Sequence, residues 1–273
     1  VTTPFIAAIE PPGERSGAAW WFIFREDRLL VWESGDAASV PLLADLDALG
    51  ITVSRVHYLG RLGEHDCFSA ELAPDAPLPE GAALHGIRGL YGRLSDELFS
   101  LAGRAVQILT WDRTHQFCGQ CGTPTRLVPG ERARACPHCG LTAYPRLSPA
   151  VIVLITRGDE VLLARGVRFP GNFYSTPAGF VEPGESLEQT VERELAEELS
   201  IKVRDIRYFG SQPWPYPHQL MIGFTCTWDS GEIVVDPTEL ADARWFTRDN
   251  LPNMPPPLSI ARRLINSYID AKS

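Results

Sequence analysis

GFVEPGESLEQTVERELAEELSI, residues 179–201, carries the reading on which the rest of the chain turns. Pro183-Gly184 marks a turn, and Ser186-x-x-Gln189 is a capping-box pattern, so a helix is predicted to begin at about Leu187. From there Leu187, Val191, Leu195 and Leu199 recur every fourth residue as an apolar stripe. Glu194, Glu197 and Glu198, at i, i+3 and i+4, bring three carboxylates onto one face. By helical angle that face adjoins the stripe, so the glutamates are expected to border the core, where water screens them poorly.

Like charges packed this way cost roughly 0.2–0.5 kcal/mol per pair even on an exposed helix. Arg193 can offset part of this through its i+4 neighbour Glu197. A hard divalent cation offsets more, since Mg²⁺ is held by a few carboxylates while it bridges substrate phosphates. A solvated acidic face is the plainer reading of a glutamate-rich helix taken alone. The order Gly179-x5-Glu185-x7-Arg193-Glu194-Leu195-x-Glu197-Glu198 overturns it, because it resembles the signature of the Nudix hydrolases almost position for position. Ser200 stands where that family has a glycine, which bears on the helix cap and not on the carboxylates.

Outward from this stretch, 273 residues suffice for two domains with real cores. A hydrophobic share of 44% with 22% charged residues is that of a globular protein, and no apolar run approaches bilayer-spanning length. No basic-then-apolar leader opens the sequence, so a cytoplasmic protein without membrane attachment is expected. A net charge of −9 argues against broad electrostatic binding to nucleic acid. Cys67 and Cys226 stand alone in apolar contexts and read as small buried side chains.

Cys118-Gly-Gln-Cys121 and Cys136-Pro-His-Cys139 form two Cys-x-x-Cys knuckles separated by 14 residues. That spacing signals a zinc ribbon, in which four thiolates close a tetrahedral Zn²⁺ site that is structural and not catalytic. His138 lies between two of the ligands as a competitor. Glu131, Arg132 and Arg134 sit on the intervening loop, either solvated or facing a ligand.

Before the ribbon, Trp20–Phe24 and Leu29–Trp32 read as a hairpin, with more strand at Ile51–Val53 and Val56–Leu59. The Pro/Ala/Gly-rich segment from Leu72 to Gly86 reads as a loop, and Ser95–Thr114 as a helix. Arg88 is a candidate ligand contact, with a solvated arginine as the plainer role. After the ribbon, Pro149–Ile155 reads as a buried strand and Val161–Ala164 as its hairpin partner. Strands at Val203–Phe209 and Gln219–Trp228 and an amphipathic helix at Ser259–Ala271 follow. The expected fold class is α+β: a mixed sheet sandwiched by helices over residues 144–273, a zinc ribbon at 113–143, and a smaller α+β domain at 1–112.

Ser211-Gln-Pro-Trp-Pro-Tyr-Pro-His218, followed by Gln219, closely resembles the Ser-Gln-Pro-Trp-Pro-Phe-Pro-x-Ser element of the NADH pyrophosphatase subfamily. Three prolines spaced by aromatics make a rigid loop with little entropy to lose when a flat ring docks. Gln219 replaces the final serine. The resemblance covers the ribbon, the Tyr144-Pro145-Arg146 link and nearly all of the C-terminal half. It implies a Nudix fold and a homodimer that cleaves NADH and NAD⁺ to nicotinamide mononucleotide and AMP with Mg²⁺ or Mn²⁺. It also implies removal of the NAD cap from RNA.

The resemblance further implies that Glu194, Glu198, Glu239 and the main-chain carbonyl of Ala178 bind the metal. Glu131, Tyr144, Gln212, Pro213, Trp214, Pro215, Tyr216, Pro217, His218, Gln219 and Ala261 would line the substrate site, with Phe180 stacked on the nicotinamide. A glutamate of the 194/197/198 set would be the base and Arg193 would orient the cluster. The alternatives are a Nudix hydrolase of another diphosphate, such as ADP-ribose or coenzyme A, and a non-catalytic RNA-binding ribbon protein.

Overall fold

A computed structural model of the chain describes residues 4–11, 13, 17–168 and 173–271. Two compact units divide it, Val1–Arg146 and Leu147–Ser273. No helix among the described residues is long and apolar enough to cross a membrane.

The C-terminal unit is built around the predicted apolar strand, which runs Ser148–Arg157 through the middle of a six-stranded sheet. Across the sheet the order is Lys202–Trp214, Gln219–Ser230, Ser148–Arg157, Glu160–Gly166, Leu240–Thr247, and Ala178–Phe180 also pairs with the central strand. Gln219–Ser230 lies parallel to the centre and the other pairings are antiparallel. Successive side chains of a strand point to opposite faces. Val151, Val153 and Ile155 accordingly pack with Val191, Leu195 and Leu199 of helix α2 (Leu187–Leu199). Ile152 and Leu154 pack with Ile260, Leu264, Ile265 and Tyr268 of helix α3 (Ile260–Asp270). Covered on both faces, the central strand has no polar alternation, which is why it reads as one apolar run.

The capping box forms as expected: Gln189 N donates to Ser186 Oγ (3.2 Å) and Ser186 N to Gln189 Oε1 (2.8 Å). At the other end of α2, Ser200 takes the left-handed conformation (φ 57°, ψ 28°) and its N–H returns to the carbonyls of Leu195 and Ala196. The glycine-type cap is therefore kept without glycine, at the cost of placing a Cβ in the left-handed region.

In the N-terminal unit an eight-stranded sheet carries the Ala19–Arg25 and Arg28–Ser34 hairpin beside Val53–Leu62 and His65–Leu72. Helix α1 (Asp96–Thr114), capped by Ser95, packs on it. The segment expected as loop to Gly86 ends in a strand, Ala82–Gly86, paired with Arg28–Ser34. Its small residues fit a half-buried strand, and the pairing partner lies about fifty residues away, beyond the reach of local pattern. Cys67 and Cys226 are both buried.

Candidate active site

Gly179 and α2 form the heart of the site. A Cβ built on Gly179 would lie 1.8 Å from the carboxyl carbon of Glu194, so that carboxylate occupies the space a side chain would take. Arg193 gathers the surrounding acids. Its Nε and Nη2 grip Glu185 in a fork (2.5 and 3.0 Å), while Nη1 reaches Glu194 and Glu197 (both 2.9 Å). Nη2 also donates to the Phe180 carbonyl at 2.9 Å. The planar, fixed fork of arginine suits this task as a lysine would not. Sequence reading paired Arg193 with Glu197 and missed Glu185, because helical spacing is blind to a partner in the preceding loop.

The acids divide by environment. Glu185 is held down to about 2, first by Arg193 and then by the Glu182 N–H. Glu197 does not border the core as expected; its side chain is 62% exposed, since it falls a further turn of about 100° round the helix from Glu198. Glu198 does border it, at 6% exposure, and its Oε2 has no hydrogen-bond partner. Burial, and then the charges of Glu194 and Glu239, push its carboxyl up to about 8. Glu194 is also raised, by burial first, against the opposing pull of Arg193. Glu239 stands exposed just beyond the turn in which Thr238 N and Oγ1 bond Asp236 Oδ1, and Asp236 N binds the Glu198 carbonyl at 2.9 Å. A buried carboxylate surrounded by like charge, with one oxygen left unpartnered, fits a divalent cation. Ala178 is exposed at the start of the strand that carries Gly179.

The proline–aromatic element is only half a loop. Gln212, Pro213 and Trp214 finish the strand Lys202–Trp214, and residues 215–218 turn the chain into Gln219–Ser230. Trp214 meets Tyr216 edge to face at 5.1 Å. Gln212 turns its amide inward, donating to the Leu258 carbonyl (2.8 Å) and accepting from Ile260 N (2.7 Å). Ala261, in the first turn of α3, is 4% exposed with its methyl in the core, so it has no side chain to offer a ligand. Phe180, in contrast, is 49% exposed next to the Gly179 cradle.

Within the N-terminal unit, Tyr144 Oη reaches exposed Glu131 at 3.4 Å. The two loop arginines prove structural: Arg132 bonds the carbonyls of Ala8 and Tyr58. Arg134, buried, pairs with Asp112 of α1 and with Thr125. Arg88 sits exposed in a single 3₁₀ turn, Ile87–Leu90.

Both cysteine knuckles end in a left-handed glycine, Gly122 (φ 72°) and Gly140 (φ 78°), whose N–H returns to Cys118 and Cys136 carbonyls. The four sulfurs lie within 4.8 Å of one another, and His138 is not among them. The Thr123 hydroxyl and main chain lower the Cys121 thiol to about 5, while the Cys139 thiol beside it is raised to about 12. Chemistry and spacing of these donors fit tetrahedral zinc. No other set of three or more such ligands is drawn so close among the described residues.

The chain is similar to known proteins over most of its length. A NUDIX domain model matches residues 146–266, an NADH pyrophosphatase-like rudimentary NUDIX domain 18–111, and an NADH pyrophosphatase zinc ribbon domain 113–144. The NAD-capped RNA hydrolase NudC of Deinococcus radiodurans is 48% identical over 92% of this chain and 88% of its own length. Its namesake from Stutzerimonas stutzeri is 51% identical over 77% and 76%, and that from Pseudomonas fluorescens 46% over 87% and 81%. With the carboxylate helix, the cysteine ribbon and near-full-length relatives in agreement, this chain belongs to the Nudix hydrolases, in their NADH pyrophosphatase subfamily.

Proposed function

We propose that this protein hydrolyses the pyrophosphate of NADH and NAD⁺ to nicotinamide mononucleotide and AMP, and removes the NAD cap from RNA 5′ ends. The single observation that carries the reading is the buried Glu198 carboxylate, its Oε2 without a hydrogen-bond partner, facing the charges of Glu194 and Glu239. The names of the relatives, NAD-capped RNA hydrolases, support the substrate.

In this reading Glu194, Glu198, Glu239 and the Ala178 carbonyl would hold Mg²⁺ or Mn²⁺, which when bound would supply neutralisation of charge on the pyrophosphate and a lowered pKa for the attacking water. A glutamate of the 194/197/198 set accepts a proton from that water as its oxygen bonds to phosphorus. The bridging P–O bond breaks, and its electron pair leaves with the departing nucleotide phosphate. Arg193 holds Glu194 and Glu197 in place and leaves Glu198 to its like-charged neighbours. Phe180 stacks on the nicotinamide, while Glu131, Tyr144, Arg88 and the residue 212–219 element contribute to substrate recognition. Zinc in the ribbon is structural, the functional domains are 1–112, 113–143 and 144–273, and the assembly is a cytoplasmic homodimer.

Incubation with NADH, NAD⁺, ADP-ribose and NAD-capped RNA in Mg²⁺ or Mn²⁺, with products identified, tests the proposal. Nicotinamide mononucleotide plus AMP from the dinucleotides, and 5′-monophosphate RNA from capped RNA, are expected. Faster turnover of ADP-ribose with NADH untouched would overturn it.

A further inference from the structure

The recognition element is tied down at both ends by side chains. At its start, the Gln212 amide spans the entry to α3, bonding the Leu258 carbonyl and the Ile260 N–H on either side of the N-cap residue Ser259. At its end, His218 Nδ1 lies 3.1 Å from Ser148 Oγ, and the His218 carbonyl accepts the Ser148 N–H at 2.9 Å. Ser148 opens the central strand, which is paired through Val151 with Gly179 under the Glu194 carboxylate. Between the two ties lies the Trp214–Tyr216 pair.

We infer that Gln212 and His218 are positioning residues. The Gln212 amide and His218 Nδ1 are spent on the protein and hold the hairpin in register with α3 and with the strand that backs the Gly179 cradle. Recognition then costs little ordering, because the aromatic pair is already fixed before a ligand arrives. This rests on the proposed dinucleotide reading of the site, and it assigns to Ser148, outside the element, a part in substrate affinity. Sequence reading gave Ser148 no role.

Ser148→Ala removes one hydroxyl and leaves every residue of the hairpin in place. Loss of one hydrogen bond of ordinary strength predicts a KM for NADH raised about three- to tenfold, with kcat within about twofold of wild type. The double variant Ser148→Ala/His218→Ala should raise KM no further than His218→Ala alone, since the two substitutions remove the same tie. Ser148→Thr, which restores the hydroxyl, should recover most of the affinity.

An unchanged KM in Ser148→Ala, or additive effects in the double variant, would overturn the inference and give His218 a direct contact. Ligand-free hydrogen exchange supplies an arm that needs no turnover: Gln212→Leu should speed exchange of the Ile260 amide at least about tenfold. Unaltered Ile260 exchange would overturn the inference whatever the substrate. Wild type inert toward NADH, with the exchange result as expected, would sink the dinucleotide reading and leave the tie standing.

Discussion

Gly179 and Glu194 share one volume: the Glu194 carboxyl carbon and both its oxygens lie within 2.2 Å of the point where a Cβ on residue 179 would stand. The glycine is needed here for space, not for backbone freedom, since its φ is not in the left-handed region. Gly179→Ala should therefore fold normally and push the Glu194 carboxylate aside. A displacement near 1 Å at a reacting centre lowers kcat by about 10²-fold. Steady-state kinetics beside an unchanged circular dichroism spectrum would check this; near-normal kcat would remove Glu194 from the site.

Glu198 makes a prediction in pH. Its carboxyl rises from 4.5 to about 8 on folding, so between those values the folded chain holds a proton that the unfolded chain has lost. Stability due to this group is complete at acid pH and is lost as pH climbs through about 8. Metal-free wild type should lose stability between about pH 5 and pH 8, and Glu198→Gln should lose less. Mg²⁺ or Mn²⁺ should raise the melting midpoint of wild type at pH 8 and not that of the variant. Turnover in Glu198→Gln should fall by about 10²–10⁴-fold. Identical midpoints and identical metal responses would refute the assignment.

Ser200 carries a cost that glycine would not. With φ at 57° its Cβ sits in the left-handed region, which disfavours a side chain by about 1 kcal/mol. Ser200→Gly should stabilise the C-terminal unit by about 0.5–1 kcal/mol and leave turnover unchanged. Denaturant titration resolves a gain of that size.

Asp112 is 3% exposed, and Arg134 from the ribbon is its closest cation, with His57 Nε2 at 3.2 Å and Arg55 Nε at 3.8 Å behind it. Arg134→Ala should destabilise the N-terminal unit by about 1.5–3 kcal/mol, because buried Asp112 loses its closest charged hydrogen bond while keeping His57, Arg55 and Gln116 beside it. Stripping zinc should act in the same direction by loosening the loop that delivers Arg134. Replacing Asp112 by Asn in the Arg134→Ala background should recover part of the loss, since the buried side chain short of one cation is then neutral. Denaturation of each variant, with zinc measured by a colorimetric chelator, would decide this.

Local chemistry made much of this protein legible from its residues alone. The α2 stripe, the capping box, the acidic face and the cysteine knuckles each depend on neighbours within about one or two turns of chain, where spacing fixes geometry. The central strand was legible too, because burial on both faces leaves an apolar run. Tertiary structure decided what spacing cannot reach. It set Glu185 against Arg193, brought Glu239 near Glu198, turned Gln212 onto α3 and buried Arg134 against Asp112. Each of these joins residues whose separation in the chain says nothing of their distance, and only the folded sheets with their packed helices fix which charges meet and which stay unpaired.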